Sequence, residues 1–415
     1  MIKVFKFGGA SIKDVAGVEN VGNILQDYAS EELVIVFSAM GKVTNMLEKV
    51  VEAYVQNSQE TSVLLQEVKD FHSEILCTLF TKGHPVFNEV NNLFVEIEWV
   101  LEEDPNQEYA YDYDQIVSIG EFLSTRIMSA YLSEIGFGHT WLDARDLIRT
   151  DNSYRNAKVD WETTNSFIKN TVKAKHSITQ GFIGCTSENF TSTLGREGSD
   201  FTAAILAYCL DAKEVVIWKD VPGMMNADPK HFEDAQLLNK VSFDEAIELA
   251  FYGAKVIHPK TIQPLKQKQI SLQIKSFLNP KEQGSEIAEG LVTVPEIPSF
   301  IVKESQILIS IADENLAFIV DVHMSQIFSI LAKHRVSVNL MQNSAISFTI
   351  CVDNDFHKIP QLIKDLKDFF TVSCDENLSL FTIRHYTNDS IQLFLQDKEI
   401  ALEQKSSDTM QLLAR

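Results

Sequence analysis

Residues Thr193–Ala204, TLGREGSDFTAA, gather two glycines, an arginine, a serine and an aspartate into one short segment. An apolar, alanine-rich run follows at once, Ala203-Ala204-Ile205-Leu206-Ala207-Tyr208. Small, flexible residues running into a helix signal describe a loop that brings a ligand to a helix N-terminus. Unpaired N–H groups and the positive end of the helix dipole favour an anion there. Ser199 or Asp200 is suited to cap that helix, and Arg196 carries the two-pronged fork that grips a carboxylate or a phosphate. Taken alone, the segment reads as well as a capped turn with incidental charges. A second glycine loop, at the N-terminus, tips the balance toward a ligand.

That second loop follows Ile2-Lys3-Val4-Phe5-Lys6-Phe7, which alternates like a strand and runs into Gly8-Gly9-Ala10-Ser11 before a helix pattern from Val15 to Tyr28. Strand, glycine pair and helix form the layout of a backbone phosphate cradle. The pattern is neither a Walker loop, since no GK[ST] occurs and the lysine precedes the glycines, nor GxGxxG. Lys6 is placed to reach over the same phosphates from the strand end; the plainer alternative is a solvated edge lysine, which fits poorly between Phe5 and Phe7. Leu33–Ser38, LVIVFS, is a continuous apolar run of the kind buried on both faces of a parallel sheet. It leads into Ala39-Met40-Gly41-Lys42-Val43-Thr44-Asn45, a loop where α/β sheets place ligands.

Residues 46–135 read as mostly helical, with Glu121 at a helix start, where a glutamate commonly serves the dipole or a capping box. His72 reads as a packed or surface histidine. Further strand-then-loop units follow at 140–145, 177–184 and 215–218, the last entering Lys219-Asp220-Val221-Pro222-Gly223-Met224-Met225-Asn226-Ala227-Asp228-Pro229-Lys230, where Pro-Gly and Asp-Pro set turns. To about residue 294 the chain is strand–helix alternation, which predicts a mostly parallel sheet sandwiched by helices. Pro280–Pro298 reads as a connector. The rhythm then becomes βαββαβ, a ferredoxin-like unit, followed by a shorter piece ending in a hairpin-like 400–413. The expected domains are 1–294 and 299–415, the latter one full unit to about 384 and a partial second to 415. A lone βαββαβ sheet leaves one face and its edges to protect, so at least a homodimer is expected, paired through Val336, Val338, Leu340 and the Ile346 strand.

Composition narrows the function classes. With 415 residues and 45% hydrophobic content the chain can bury large cores. A net charge of −22 argues against a nucleic-acid or anionic-membrane partner but leaves room for a local positive pocket that holds a nucleotide. The five cysteines show no CxxC spacing, which predicts free thiols and no zinc site. No apolar stretch approaches the roughly 20 residues that span a bilayer, and a cytoplasmic protein is expected.

The motifs together resemble aspartate kinases, within the amino-acid kinase family, along nearly the whole chain. KFGGAS is similar to the family's KFGGTS, and FSAMGKVTN to its second strand–loop. TLGREGSDFTAA, WKDVPGMMNADPK and ELAFYGAKVIHPKTI resemble three further family segments in the right order, and NLMQNSAISF resembles strands of its ACT regulatory domains. The resemblance implies ATP-dependent phosphorylation of the β-carboxylate of L-aspartate to 4-phospho-L-aspartate, the entry to lysine, threonine and methionine synthesis. It implies Lys6 and Asp200 as catalytic residues, Lys6 neutralising the transferring phosphoryl group and Asp200 orienting the lysine. Aspartate would be held by Thr44, Glu121, Arg196 and Ser199, with Glu121 on the ammonium group. ATP would be held by Lys6, Gly8, Gly9, Ser11, Lys219, Asp220, Met225, Lys230 and Lys255. Mg²⁺ would be held largely by phosphates and water, and lysine or threonine would be the feedback effector. The alternatives are a non-catalytic amino-acid sensor on the same fold and a sister kinase acting on glutamate, acetylglutamate or a nucleoside monophosphate. The chain departs from the family pattern at Ala10, Glu197, Met225, Lys230 and in Asp321-Val322-His323-Met324.

Overall fold

The computed structural model describes residues 1–106, 108–254, 256–313, 318–395 and 398–415. They fall into two compact units, one comprising residues 1–225, 237–247 and 256–295, the other residues 226–236 and 248–254 with the described residues from 296 onward. The helices to residue 268 are α1 (Val15–Asp27), α2 (Val43–Val55), α3 (Thr61–Leu79), α4 (Val86–Glu102), α5 (Tyr109–Val117), α6 (Ile119–Glu134), α7 (Trp161–Thr171), α8 (Gly198–Leu210), α9 (Phe243–Tyr252) and α10 (Pro259–Lys268). The strands of the first unit are β1 (Lys3–Phe7), β2 (Leu33–Phe37), β3 (Thr140–Trp141), β4 (His176–Gln180), β5 (Ile183–Cys185), β6 (Thr191–Thr193), β7 (Glu214–Lys219), β8 (Lys240–Ser242), β9 (Ser271–Ser276) and β10 (Ser285–Ala288).

Among the described residues, eight of these strands form one sheet in the order β3-β4-β2-β1-β7-β9-β10-β8, and every neighbouring pair except β9–β10 is parallel. This is the mostly parallel sheet that the strand–helix alternation predicts. β2 shows why its sequence is apolar throughout: all five residues are buried, because both faces of the sheet are covered. β1 lies inside the sheet, between β2 and β7. Phe5 and Phe7 are fully buried, and Phe7 stacks on Phe37 (ring centroids 5.6 Å apart) and Trp218 (5.8 Å). Burying each such ring contributes about 1.5–3 kcal/mol. Residues alternate across a strand, so the aromatic grip on Phe5 and Phe7 aims Lys6 at the opposite face.

The second unit is a six-stranded antiparallel sheet, β12-β13-β11-β14-β16-β15, built from β11 (Ser299–Ala312), β12 (Val338–Asn343), β13 (Ser347–Asp353), β14 (Thr371–Arg384), β15 (Ile400–Lys405) and β16 (Thr409–Ala414). With α11 (Asp321–Lys333) and α12 (Ile359–Lys367), the order β11-α11-β12-β13-α12-β14 is the expected βαββαβ, and α13 (Asn388–Leu395) precedes the β15–β16 hairpin. The two 14-residue strands, β11 and β14, run through both parts of the sheet. The later half of β11 pairs with β13 and its earlier half with the end of β14, which on its other side pairs with β16. Register shifts fall near Lys303–Leu308, where Ser305 takes φ +54°. The C-terminal hairpin therefore extends the same sheet instead of starting a new one.

Val336 and Val338 pack against this unit's own core of Ile307, Ile309, Ile311, Phe348, Ile350 and Val352. Leu340 is 4% exposed, in a cluster with Cys351, Leu378, Leu380 and Leu413. Val336 and Val338 are half-buried, and Met341 and Ile346, 53% and 44% exposed, are the accessible apolar residues beside them. Among the described residues, no helix is long and apolar enough to cross a membrane, and the five cysteines are free thiols.

Candidate active site

The site is built at the carboxyl ends of β1, β2 and β7 and the N-terminus of α8. β1 ends in the Gly8-Gly9 turn, which packs against the loop after β2: Gly41 N–H donates to Gly9 O at 3.0 Å, and a Cβ on Gly9 would lie 2.6 Å from Gly41 O and 2.7 Å from Ala39 O. No side chain fits there, so glycine is required. Ser11 is fully buried, and its hydroxyl donates to Gly8 O at 2.6 Å, bracing the turn.

Lys6 leaves the face opposite Phe5 and Phe7, and its Nζ lies 2.7 Å from Asp200 Oδ1. Lys219, at the end of the neighbouring β7, places its Nζ 3.3 Å from Asp200 Oδ2 and also donates to the Val256 carbonyl. Asp200 sits in the first turn of α8 and is 2% exposed. Burial works to raise its pKa, but the charges of Lys6 and Lys219 prevail and hold the carboxyl below its ordinary range. The carboxylate thus stays ionised and fixes two ammonium groups side by side. The capping expectation is corrected: the N-cap of α8 is Glu197, with φ +52° and no capping hydrogen bond from its side chain, while Ser199 and Asp200 lie inside the first turn. Ser199 is instead pressed against Gly181, where a Cβ would fall 2.4 Å from Ser199 Cβ.

Glu121, in the first turn of α6, is 2% exposed. Its Oε1 accepts the Ala39 N–H at 3.2 Å, and Oε2 is buried without a hydrogen-bond partner among the described residues. Burial pushes its pKa up to about 8, against the opposing pull of backbone N–H donors and Lys6. A carboxyl group held this way is a socket for a cation: an arriving ammonium group satisfies the free oxygen and draws the proton off.

These groups line one cavity of about 480 Å³, which holds Lys6, Thr44, Glu121, Arg196, Ser199, Asp200 and Lys219 together. That size suits a small ligand. Asp220, Met225 and Lys230 do not line it. Asp220 is exposed, Met225 is half-buried in an isolated bridge with Leu237, and Lys230 is exposed, with its N–H on Asp228 Oδ1 at 2.9 Å. Lys255 lies outside the described residues.

Ser38, Glu48, Tyr113, Arg155 and Phe182 also line the cavity, although the sequence does not single them out. Arg155 has no local motif; its side chain pairs with Glu48 (Nη2 to Oε1 3.0 Å) and lies over the Tyr113 ring (4.2 Å). Asp114, behind it, is fully buried and accepts from Arg155 N–H (3.0 Å), Thr193 N–H (2.7 Å) and Thr193 Oγ1 (2.6 Å). Burial pushes Asp114 up to about 6 in spite of those donors. It ties the loop carrying Arg155 to the strand that enters TLGREGSD. Of the two aspartates in YAYDYDQ, nothing in the sequence marks Asp114 for that role.

The model of the amino acid kinase family matches residues 1–276. The chain belongs to the amino acid kinase family. This amino acid kinase is 29% identical to the lysine-sensitive aspartokinase 3 of Escherichia coli (strain K12) over 397 residues, covering 92% of this chain and 86% of that protein. It is 31% identical over 363 residues to the chloroplastic aspartokinase 1 of Arabidopsis thaliana, covering 84% of this chain but only 63% of the plant protein's length. Among solved structures, E. coli aspartokinase III in complex with aspartate and ADP, in its R-state, superposes with a TM-score of 0.85 at 27% identity, covering 100% of this chain and 96% of that one.

Proposed function

We propose that this amino acid kinase transfers the γ-phosphoryl group of ATP to the β-carboxylate of L-aspartate, giving 4-phospho-L-aspartate, the first step toward lysine, threonine and methionine. The observation that carries the reading is a single cavity joining the Lys6–Asp200–Lys219 cluster to a buried, half-satisfied Glu121 and to Arg196. The similarity to aspartokinases supports it.

Phosphoryl transfer asks mainly for positioning and for positive charge where negative charge gathers. The two lysines held by Asp200 supply that charge at the strand ends, and the Gly8-Gly9 turn brings backbone N–H groups to the same place. The acceptor needs no general base, because a β-carboxylate is already ionised near neutral pH; Asp200, committed to two lysines, acts as their anchor. Glu121 takes the ammonium group, and Arg196, with Ser199 and Thr44 lining the same cavity, takes a carboxylate. Asp220, Met225 and Lys255 belong, in this reading, to the nucleotide side. An Mg²⁺ accompanying ATP would take its ligands largely from phosphates and water.

The unit from 296 onward serves regulation and assembly in this cytoplasmic enzyme. Its sheet ends in two edge strands, β12 and β15, and pairing with a second chain protects such edges. A feedback amino acid, lysine or threonine, acts by binding one of two kinase states more tightly, since equal affinity shifts nothing. The test is coupled ADP release with L-aspartate, L-glutamate and N-acetylglutamate. Turnover restricted to L-aspartate is expected; preference for another acceptor identifies a sister kinase, and no turnover with any identifies a sensor.

A further inference from the structure

Three residues that line the cavity hold strained backbone. Arg155 (φ +64°), Phe182 (φ +70°) and Glu197 (φ +52°) all hold the left-handed conformation that side chains avoid, and all three line it. Strain of this kind persists where the surroundings enforce it, and it clusters at functional sites. Arg155 is the cationic member. Its backbone is pinned by the buried carboxylate of Asp114, and its guanidinium carbon sits 4.2 Å from the Tyr113 ring centroid and 5.2 Å from that of Tyr109.

We propose that Arg155 is a second carboxylate-gripping residue of the acceptor site, released from Glu48 when the acceptor enters. The proposal rests on the aspartate reading and deepens it, assigning part of the recognition of a dicarboxylate to a residue outside the glycine-rich loops. Three features support the exchange. The guanidinium and its partner Glu48 both border the cavity. Their ion pair is 43% and 34% exposed, so water screens it and it is easily given up. The stacking on Tyr113 is independent of Glu48 and keeps the guanidinium in place during the exchange. Glu48 is thus a resident competitor for the position an acceptor carboxylate takes.

The exchange predicts opposite effects for the two partners. Arg155→Gly keeps the fold, because glycine adopts φ +64° freely, and it raises the KM for aspartate about tenfold, the scale of one lost charge-assisted contact, without moving the KM for ATP. Glu48→Gln frees Arg155 and lowers the KM for aspartate. A purely structural ion pair moves both variants in the same direction. Steady-state kinetics with both substrates, and thermal unfolding of each variant, provide the readouts. An unchanged aspartate KM in Arg155→Gly, or a raised one in Glu48→Gln, overturns the proposal while leaving the aspartate reading intact. A wild-type chain with no aspartate-dependent ADP release sinks both.

Discussion

Glu121 has to change protonation state when an ammonium group arrives. In the ligand-free cavity burial holds its pKa at about 8, so near pH 7 it carries a proton that an ion pair with the substrate expels. Ionising it at pH 7 costs about 1.4 kcal/mol, one pKa unit's worth. Aspartate affinity therefore falls about tenfold for each pH unit below 8. The KM for aspartate should drop about tenfold from pH 6 to pH 7, keep dropping toward pH 8, and then level off. The KM for ATP should show no such slope. Calorimetric titration of aspartate in two buffers of different protonation enthalpy should count close to one proton released at pH 7. Glu121→Gln should raise the KM at every pH and flatten the profile. The same proton sets a stability slope. An acid whose folded pKa lies above its unfolded value, 4.5 here, binds more protons folded than unfolded between the two. The ligand-free protein thus loses stability as pH rises from about 4.5 toward 8, and the glutamine variant lacks that loss. An aspartate KM that is flat from pH 6 to 8, with no proton released on binding, refutes the reasoning.

Lys6→Ala should lower kcat by about 10²–10³-fold, the loss expected when one preorganised charge contact is removed; Lys219 still neutralises Asp200, so circular dichroism should show a folded protein, and wild-type turnover would end the assignment. Arg196→Lys should raise the KM for aspartate far more than that for ATP, because a point charge cannot replace a two-pronged grip; a shift in the ATP KM instead places Arg196 on the nucleotide side. Sedimentation should find the full chain at least dimeric, and a monomer at high concentration contradicts the assembly role of the second unit.

Much of the site is legible in the sequence because short motifs determine it locally. Lys6 stands between two aromatic residues on an alternating strand, so the pattern that buries Phe5 and Phe7 also aims the lysine across the sheet. Asp200 and Arg196 lie in one glycine-rich loop at a helix start. The identity of Glu121 is visible, but its burial is not, because that comes from the packing of α6 beneath the loop after β2. Arg155 and Asp114 are invisible for a stronger reason. Their roles depend on contacts with Thr193 and Glu48, tens of residues away, and a positive φ leaves no mark in an arginine. The second unit shows the same limit. Each half of β11 reads as an ordinary short strand, and only the register with β13 and β14 shows one strand serving both parts of the sheet.

The bond made in turnover is between phosphorus and the β-carboxylate oxygen of L-aspartate. Trapping the product with hydroxylamine tests it directly, since an acyl phosphate yields a hydroxamate at the carbon that carried it. An ATP-dependent aspartyl β-hydroxamate is expected, formed in step with ADP and cut about 10²–10³-fold in Lys6→Ala. ADP release without hydroxamate, or a hydroxamate on the α-carboxyl group, contradicts it.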